Sequence, residues 1–137
     1  MLTEQQQKVF DKMLEYIEKK ENYFLSSEDR RIGKTFTLNE LAFTLQALGY
    51  KVFVLTPYKE CEYFADRFIS LDPQSYRGRF ANNAVIIADE ARLEMMEEFL
   101  DYCKYRSIPV VGYVNFRRSK ILKPIQFKRE YKCTWSE

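Results

Sequence analysis

The sequence predicts a three-layer α/β domain with a mostly parallel central sheet. Three observations carry this prediction. Short apolar runs alternate with helically spaced apolar stripes, and the run 84–88 is apolar at every position, as in strands that are buried on both faces. The 137 residues suffice for one hydrophobic core but not for two, and 46% of them are apolar. Residues 1–137 are therefore predicted to form one domain.

The first half of the chain supplies two helices and two strands. A helix is expected from Thr3, its predicted N-cap, to about Lys20, and a buried strand follows at 23–25. A second helix is expected to start near Lys34 and to end before Gly49, which suits a left-handed C-terminal cap. A β-branched strand over 51–56 then stops at a proline.

The second half continues the alternation. Helical spacing predicts a third helix that includes Cys61, Phe64, Ala65, Phe68 and Ile69. A loop over 71–83 precedes the apolar strand 84–88, which ends on Asp89 and Glu90. An acidic-faced helix leads to a strand over 108–114, and alternating residues over 125–135 predict a fifth strand with one wet face.

Composition excludes several classes of chemistry. Histidine is absent, so histidine bases and histidine-ligated zinc cannot occur in this chain. Its three cysteines are far apart and form no paired motif, so we expect reduced, buried thiols and a cytoplasmic protein. No window resembles a signal peptide or a membrane span, and no membrane partner is expected.

Arg31-Ile32-Gly33-Lys34-Thr35 lies between a predicted strand and a predicted helix, the context that a phosphate-binding loop requires. Gly33 would let the backbone approach a phosphate, and the first amides of the helix would point at the anion. Lys34 would reach the β- and γ-phosphates, and the Thr35 hydroxyl would ligate Mg²⁺.

Asp89 and Glu90 form an acidic pair at the end of a second apolar strand. The carboxyl ends of parallel strands share one edge of a sheet, so this pair and the lysine loop are expected at the same edge. Two adjacent carboxylates there are costly without a cation. The alternative is that they serve as an anionic N-terminal cap for the following helix.

With these motifs the chain resembles the P-loop nucleoside triphosphatases, and within them the RecA-like branch of superfamily one helicases and large terminase subunits. The resemblance implies a five-stranded sheet in the order 5-1-4-3-2, with ATP and Mg²⁺ as cofactors. It makes Asp89 the magnesium carboxylate and Glu90 the residue that polarises the attacking water.

The phosphate loop departs from the family motif at one position. The motif G-x-x-x-x-G-K-[ST] falls on residues 28–35, and Glu28 replaces its first glycine. A carboxylate at this position repels phosphate unless it turns outward, and Arg30 and Arg31 supply compensating positive charge. Large terminase subunits are similar here, because their arginine-bearing loop tolerates loss of that glycine. Residues 30–35, with Ile32 among them, are the predicted nucleotide-binding loop.

Two further positions match the helicase pattern. Gln6 matches a glutamine that reads the adenine edge, although Thr3 and Gln6 also form a capping-box pattern. Asn115 follows the fourth strand, where a polar residue senses the γ-phosphate in this branch.

The segment Arg117 to Lys132 holds seven basic residues and one acidic residue. This asymmetry predicts contact with single-stranded or duplex DNA, and a solvated basic face is the alternative. The candidate contacts are Arg117, Arg118, Lys120 and Lys123, and either arginine is also a candidate arginine finger for a neighbouring subunit.

The leading prediction is a minimal Mg-ATP-dependent ATPase module of nucleic-acid metabolism, helicase-like or packaging-like, that cleaves the β–γ phosphate bond. A second ATPase subunit or self-association would complete its site, because the chain has no room for a second RecA-like domain. The alternative is a degenerate, non-catalytic P-loop protein that binds or regulates another ATPase or DNA. Small size and composition also suggest a bacteriophage origin.

Overall fold

The computed structural model describes residues 2–26, 34–56, 67–115 and 132–134. The strands are β1 (Tyr23–Ser26), β2 (Lys51–Leu55), β3 (Arg67–Ile69), β4 (Ala84–Arg92), β5 (Val110–Asn115) and β6 (Lys132–Thr134). The helices are α1 (Glu4–Glu18), α2 (Lys34–Ala47), α3 (Pro73–Tyr76) and α4 (Glu97–Tyr105), with a 3-10 turn at Leu93–Met95 before α4.

All six strands form one sheet in the order β3-β2-β4-β5-β1-β6, and every recorded strand pair is parallel. The α/β class and the parallel sheet are therefore confirmed. The predicted order 5-1-4-3-2 numbers the five expected strands along the chain. The observed order differs from it, because the sheet has an additional edge strand, β3. One relationship expected from the resemblance is present: β5 lies between β1 and β4.

The assignment of Phe68 and Ile69 to a helix was wrong. Arg67–Ile69 forms β3, in which Phe68 pairs with Val54 and Ile69 pairs with Leu55 of β2. A backbone at the open edge of β2 gains hydrogen bonds by pairing, and this gain outweighs the weak helical signal of two apolar residues. Residues 61–66 of the predicted helix lie outside the described residues.

Two hydrophobic layers enclose the sheet. β4 is buried on both faces, as its uninterrupted apolar run predicted. Val85 and Ile87 face the layer formed with α1 and α2, which we call the α1–α2 face. Ile86 and Ala88 face the opposite layer, formed with α4 and the segment before β4, which we call the α4 face. The helix layers on the two sides follow from the crossovers that parallel strands require.

Helix ends were predicted accurately where a specific residue marks them. Thr3 caps α1: its hydroxyl accepts from Gln6 N at 3.2 Å, and Gln6 Oε1 accepts from Thr3 N at 2.9 Å. Gly49 follows α2 with φ +95°, and Tyr50 N donates to Leu45 O at 3.0 Å, the long bond of a Schellman motif.

Three boundaries differ from the sequence prediction. The predicted loop 71–83 contains the short helix α3, which Asp72 caps by accepting from Gln74 N at 3.0 Å. The expected helix after β4 begins as the 3-10 turn, and α4 proper starts only at Glu97. β4 itself runs to Arg92 instead of ending at the acidic pair.

Candidate functional site

The carboxyl edge of the sheet receives the start of α2. Because β1 and β2 are parallel, the connection between them leaves the carboxyl edge of β1 and returns to the amino edge of β2. α2 is the helix of that connection, so its N-terminus lies at the carboxyl edge. Lys34 is its first residue, Thr35 is its second residue and is exposed, and its first turn contains no acidic side chain. The first amides of a helix have no partner within the helix, and they favour an anion.

Asp89 lies at the same edge and on the same face. It is two residues beyond Ile87 in β4, so strand alternation directs it to the α1–α2 face. α2 packs on that face through Leu38 and Leu41. Asp89 is only 5% exposed and has an interaction within the protein. The structure therefore brings the start of α2 and Asp89 to one edge and one face of the sheet.

Glu90 occupies an unusual backbone position. Its φ is +58°, a left-handed conformation that is uncommon for residues other than glycine. The pairing of β4 with β5 shifts register between Asp89, opposite Tyr113, and Ala91, opposite Val114. Glu90 is thus the extra residue of a β-bulge, and its side chain is half-buried.

The bulge explains why β4 does not end at the acidic pair. In a regular strand Ala91 would face the same side as Asp89. The inserted Glu90 returns Ala91 to the α4 face, where it is buried with Val114. The strand can then continue to Arg92, which pairs with Asn115. Bulges and strained residues are frequent beside functional sites, since they redirect a side chain out of the regular pleat.

Tyr113 is the cross-strand neighbour of Asp89 and is 2% exposed. Burial, followed by the neighbouring Tyr23 and by the charge of Asp89, raises the pKa of Tyr113 to about 12. The phenol therefore stays protonated at neutral pH. Asp89 consequently lies next to a neutral polar group on a dry face, where a carboxylate interacts more strongly with a cation than it would in water.

Asn115 ends β5 between β1 and β4 at the carboxyl edge, as predicted. Gln6 lies in the first turn of α1. The C-terminus of α1 precedes the amino end of β1, so Gln6 at the other end of the helix lies toward the carboxyl edge. The capping-box interpretation of Gln6 is confirmed, because its side chain accepts from Thr3 N. Its suggested contact with adenine stays a prediction.

The remaining predicted site residues lie outside the described residues. These are Arg30, Arg31, Ile32 and Gly33 of the phosphate loop, Glu28 at its start, and the basic residues Arg117, Arg118, Lys120 and Lys123. Sequence reasoning also did not single out a buried polar residue of α2. Thr37 is fully buried in the first turn of α2 and, with Asp89, is one of two buried polar or charged side chains in the described ranges. Both have interactions within the protein.

The donor set suits magnesium held jointly by protein and phosphate oxygens. Among the described residues no cluster of three acidic or cysteine side chains forms a metal cage. Asp89 and Thr35 offer one carboxylate and one hydroxyl at the same edge, and Mg²⁺ commonly takes only one or two protein ligands and completes its shell with phosphates and water. These two side chains would supply two of the ligands of such a metal.

No helix in the described part of the chain is long and apolar enough to cross a membrane. Comparisons of the chain with protein-family models, with curated proteins and with solved structures find no match.

Proposed function

We propose that this protein is a minimal P-loop ATPase module that binds Mg-ATP at the carboxyl edge of its sheet and acts in nucleic-acid metabolism. The observation that carries the proposal is the shared edge and face of the α2 N-terminus and Asp89. A lysine and a hydroxyl residue that open a helix after β1, opposite a buried aspartate on β4, form the arrangement that a triphosphate with its metal requires. The position of β5 between these strands supports a RecA-like arrangement.

Each residue has a distinct role in this proposal. The first-turn amides of α2, together with Arg30, Arg31, Ile32 and Gly33, bind the phosphates, and Lys34 neutralises charge at the β–γ bridge. Thr35 and Asp89 hold the metal, which when bound withdraws electron density from the γ-phosphate. Glu90 orients and polarises the attacking water. Gln6 and Asn115 lie toward the base and toward the γ-phosphate, respectively.

Turnover by the isolated chain should be slow. P-loop enzymes that obtain their arginine finger from a partner lose on the order of a thousandfold or more in rate without it. The partner is a second ATPase subunit or another copy of the chain, and the nucleic acid is single-stranded or duplex DNA. Arg117 or Arg118 is the candidate finger that one copy would donate to the next.

A non-catalytic binding module is the second candidate. Glu28 in the position of the first loop glycine favours it, because a carboxylate there opposes phosphate binding. Such a module would regulate another ATPase or bind DNA without hydrolysing ATP. Retention of Lys34, Thr35, Asp89 and Glu90 in one chain favours the enzyme.

Calorimetric titration with Mg-ATP, combined with measurement of phosphate release, separates the candidates. We expect Lys34→Ala and Asp89→Asn to abolish binding, and Glu90→Gln to bind Mg-ATP but release no phosphate. Glu94→Gln is the matched control, because Glu94 is a half-buried acid just beyond the site. Binding without phosphate release under any condition would select the non-catalytic module. Absence of Mg-ATP binding by the wild type would refute the ATPase and would leave the non-catalytic module as the remaining candidate.

A further inference from the structure

The amino edge of the sheet, opposite the proposed nucleotide site, is held together by hydrogen bonds between its loops. Asn83 Nδ2 donates to Gly49 O at 2.6 Å, and Lys51 N donates to Asn83 O at 3.0 Å, which joins the starts of β2 and β4. Val110 N donates to Asn22 Oδ1 at 2.9 Å, which joins the starts of β5 and β1. These contacts make the amino edge one continuous surface, about 14 Å long from β2 to β1 at the usual strand spacing.

The loop before β4 is joined to the end of α4 in the same way. Arg106 follows α4 and donates from Nη2 to Phe80 O at 3.1 Å and from Nη1 to the Tyr102 hydroxyl at 3.1 Å. Gly78 N donates to the same hydroxyl at 2.9 Å. The last turn of α4 is therefore fixed against the amino edge.

Positive side chains dominate this surface. The amino-edge surface is defined here by residues that start β2 or lie at the ends of α1 and α4: Lys20, Lys51, Lys104, Tyr105 and Arg106. Two further cations nearby are already paired: Lys19 with Glu15 at 3.1 Å and Arg77 with Glu98 at 3.2 Å. In the described part of the chain, no carboxylate forms an ion pair with the cations of the amino-edge surface. Acidic residues also lie close to these cations in the chain: Glu18 and Glu21 at the end of α1, and the exposed Asp101 one helical turn before Lys104 and Tyr105 in α4.

An exposed aromatic ring is next to two of these cations in the chain. Tyr105 is 85% exposed, more than any other large apolar or aromatic side chain of the described residues, and it is flanked in sequence by Lys104 and Arg106. Stacking of a planar group on a ring that is neither packed nor covered lowers the free energy of the complex. Cations that bind phosphates, beside a ring that stacks on an unpaired base, are the two elements of single-strand binding surfaces.

We propose that the amino-edge surface binds single-stranded nucleic acid, with its lysines on the phosphates and Tyr105 stacked on a base. A duplex satisfies the cations equally well but offers no unpaired base to Tyr105, so the exposed ring favours the single strand. None of the residues that define this surface belongs to the basic segment 117–132, and the surface lies on the opposite edge of the sheet from Asp89. Binding here therefore does not depend on the proposed nucleotide site.

Fluorescence anisotropy with labelled oligo-dT and oligo-U tests the proposal without added nucleotide. We expect wild-type binding at low salt to weaken as salt rises, and a duplex of equal length to bind less tightly. Lys51→Gln/Lys104→Gln should weaken binding at least tenfold and lower the slope of log K against log salt by about 1.4, since each single-strand phosphate contact contributes about 0.7. Tyr105→Ala should weaken single-strand binding about five- to tenfold and leave duplex binding unchanged.

The matched control is Lys8→Gln/Lys12→Gln, which removes the same charge from the exposed side of α1. It should bind as the wild type does, and thermal unfolding should show that all variants are folded. Equal losses in the control and the amino-edge variant would indicate a non-specific charge effect and would overturn the proposal. It would also be overturned if the wild type bound no oligonucleotide, or if only Arg117→Gln/Arg118→Gln reduced binding.

Discussion

Gly112 of β5 packs against the backbone of Ala88 in β4 so closely that no side chain fits between them. A Cβ on Gly112 would overlap the carbonyl oxygen of Ala88 and would lie 2.8 Å from its nitrogen. The φ of Gly112 is +146°, which residues with side chains rarely adopt. This contact lies one residue before Asp89, so the close approach of β5 also sets the position of the candidate site.

Gly112→Ala should therefore destabilise the protein by about 3 kcal/mol or more, because both the backbone conformation and the contact with Ala88 oppose a methyl group. Gly49→Ala is the control: Gly49 also has positive φ, but nothing lies within 4 Å of its added Cβ. It should cost about 1 kcal/mol. Urea unfolding measures both values. Equal losses in the two variants would contradict the close approach of β5 to β4.

Glu90→Gly should stabilise the fold by about 1 kcal/mol, because glycine adopts a φ of +58° without the steric cost that glutamate incurs. Under the proposed function the same variant should not hydrolyse ATP. Glu90→Gln keeps the strained backbone and should leave stability nearly unchanged. Thermal unfolding of the two variants checks the prediction, and a less stable glycine variant would show that the bulge is not strained.

Tyr76→Phe should leave stability unchanged or raise it by up to about 1 kcal/mol. The Tyr76 hydroxyl is buried, and among the described residues it has no hydrogen-bond partner, so its removal eliminates a desolvated polar group. Tyr102→Phe is the contrasting variant, because that hydroxyl accepts from Gly78 N and from Arg106. It should cost about 1 kcal/mol. Chemical denaturation measures the stability of both variants, and equal losses of stability in the two would contradict the prediction.

Lys20→Gly and Ser107→Gly should each stabilise the protein by roughly 0.5–1 kcal/mol. Lys20 follows α1 with φ +57°, and Ser107 follows α4 with φ +56°. Both positions complete Schellman motifs: Glu21 N donates to Tyr16 O at 2.9 Å, and Ile108 N donates to Cys103 O at 2.8 Å. Lys104→Gly, inside α4, should instead destabilise by about 1 kcal/mol. A lower melting temperature for the first two variants would contradict the assigned cap geometry.

Stability should fall as the pH rises from about 10 to about 12, because Tyr113 has its pKa raised to about 12 in the folded protein. A raised pKa of an acidic group means that the folded state holds the proton more tightly. The stabilisation is complete below the unfolded value near 10 and is lost as the pH approaches the folded value. In urea titrations at pH 9 to 12, the free energy of unfolding of Tyr113→Phe should fall less steeply with pH than that of the wild type. Identical dependence of stability on pH in the two proteins would show that a group other than Tyr113 causes the loss.

Much of the fold was predictable, because local signals and tertiary packing agree. α1 combines an apolar stripe with a capping box at Thr3, and α2 ends at a glycine that adopts the left-handed conformation. β4 and β5 are apolar runs that the sheet buries on both faces. In each case the residues that mark the element interact within it or with the nearest layer, so the pattern alone suffices.

The prediction was wrong where distant backbone decides the outcome. Phe68 and Ile69 are part of a helically spaced apolar pattern, but they pair with the edge of β2 and form β3. Nothing in the sequence around Glu90 marks a bulge, since bulges depend on the register between two strands that lie far apart in the chain. Gly112 is visible in the sequence, but its close approach to Ala88 is not.

The sequence by itself determined the parallel α/β architecture, the starts and ends of α1 and α2, and the presence of a lysine loop and an acidic pair at strand ends. Tertiary structure decided that Asp89 is buried beside Tyr113 on the face covered by α2, that Glu90 is the bulged residue, and that Tyr105 lies exposed among the cations of the opposite edge. Periodicity reports which side of an element is apolar, and this is a local property. Register and the meeting of separate loops arise only when strands distant in the chain pair, so no local pattern encodes them.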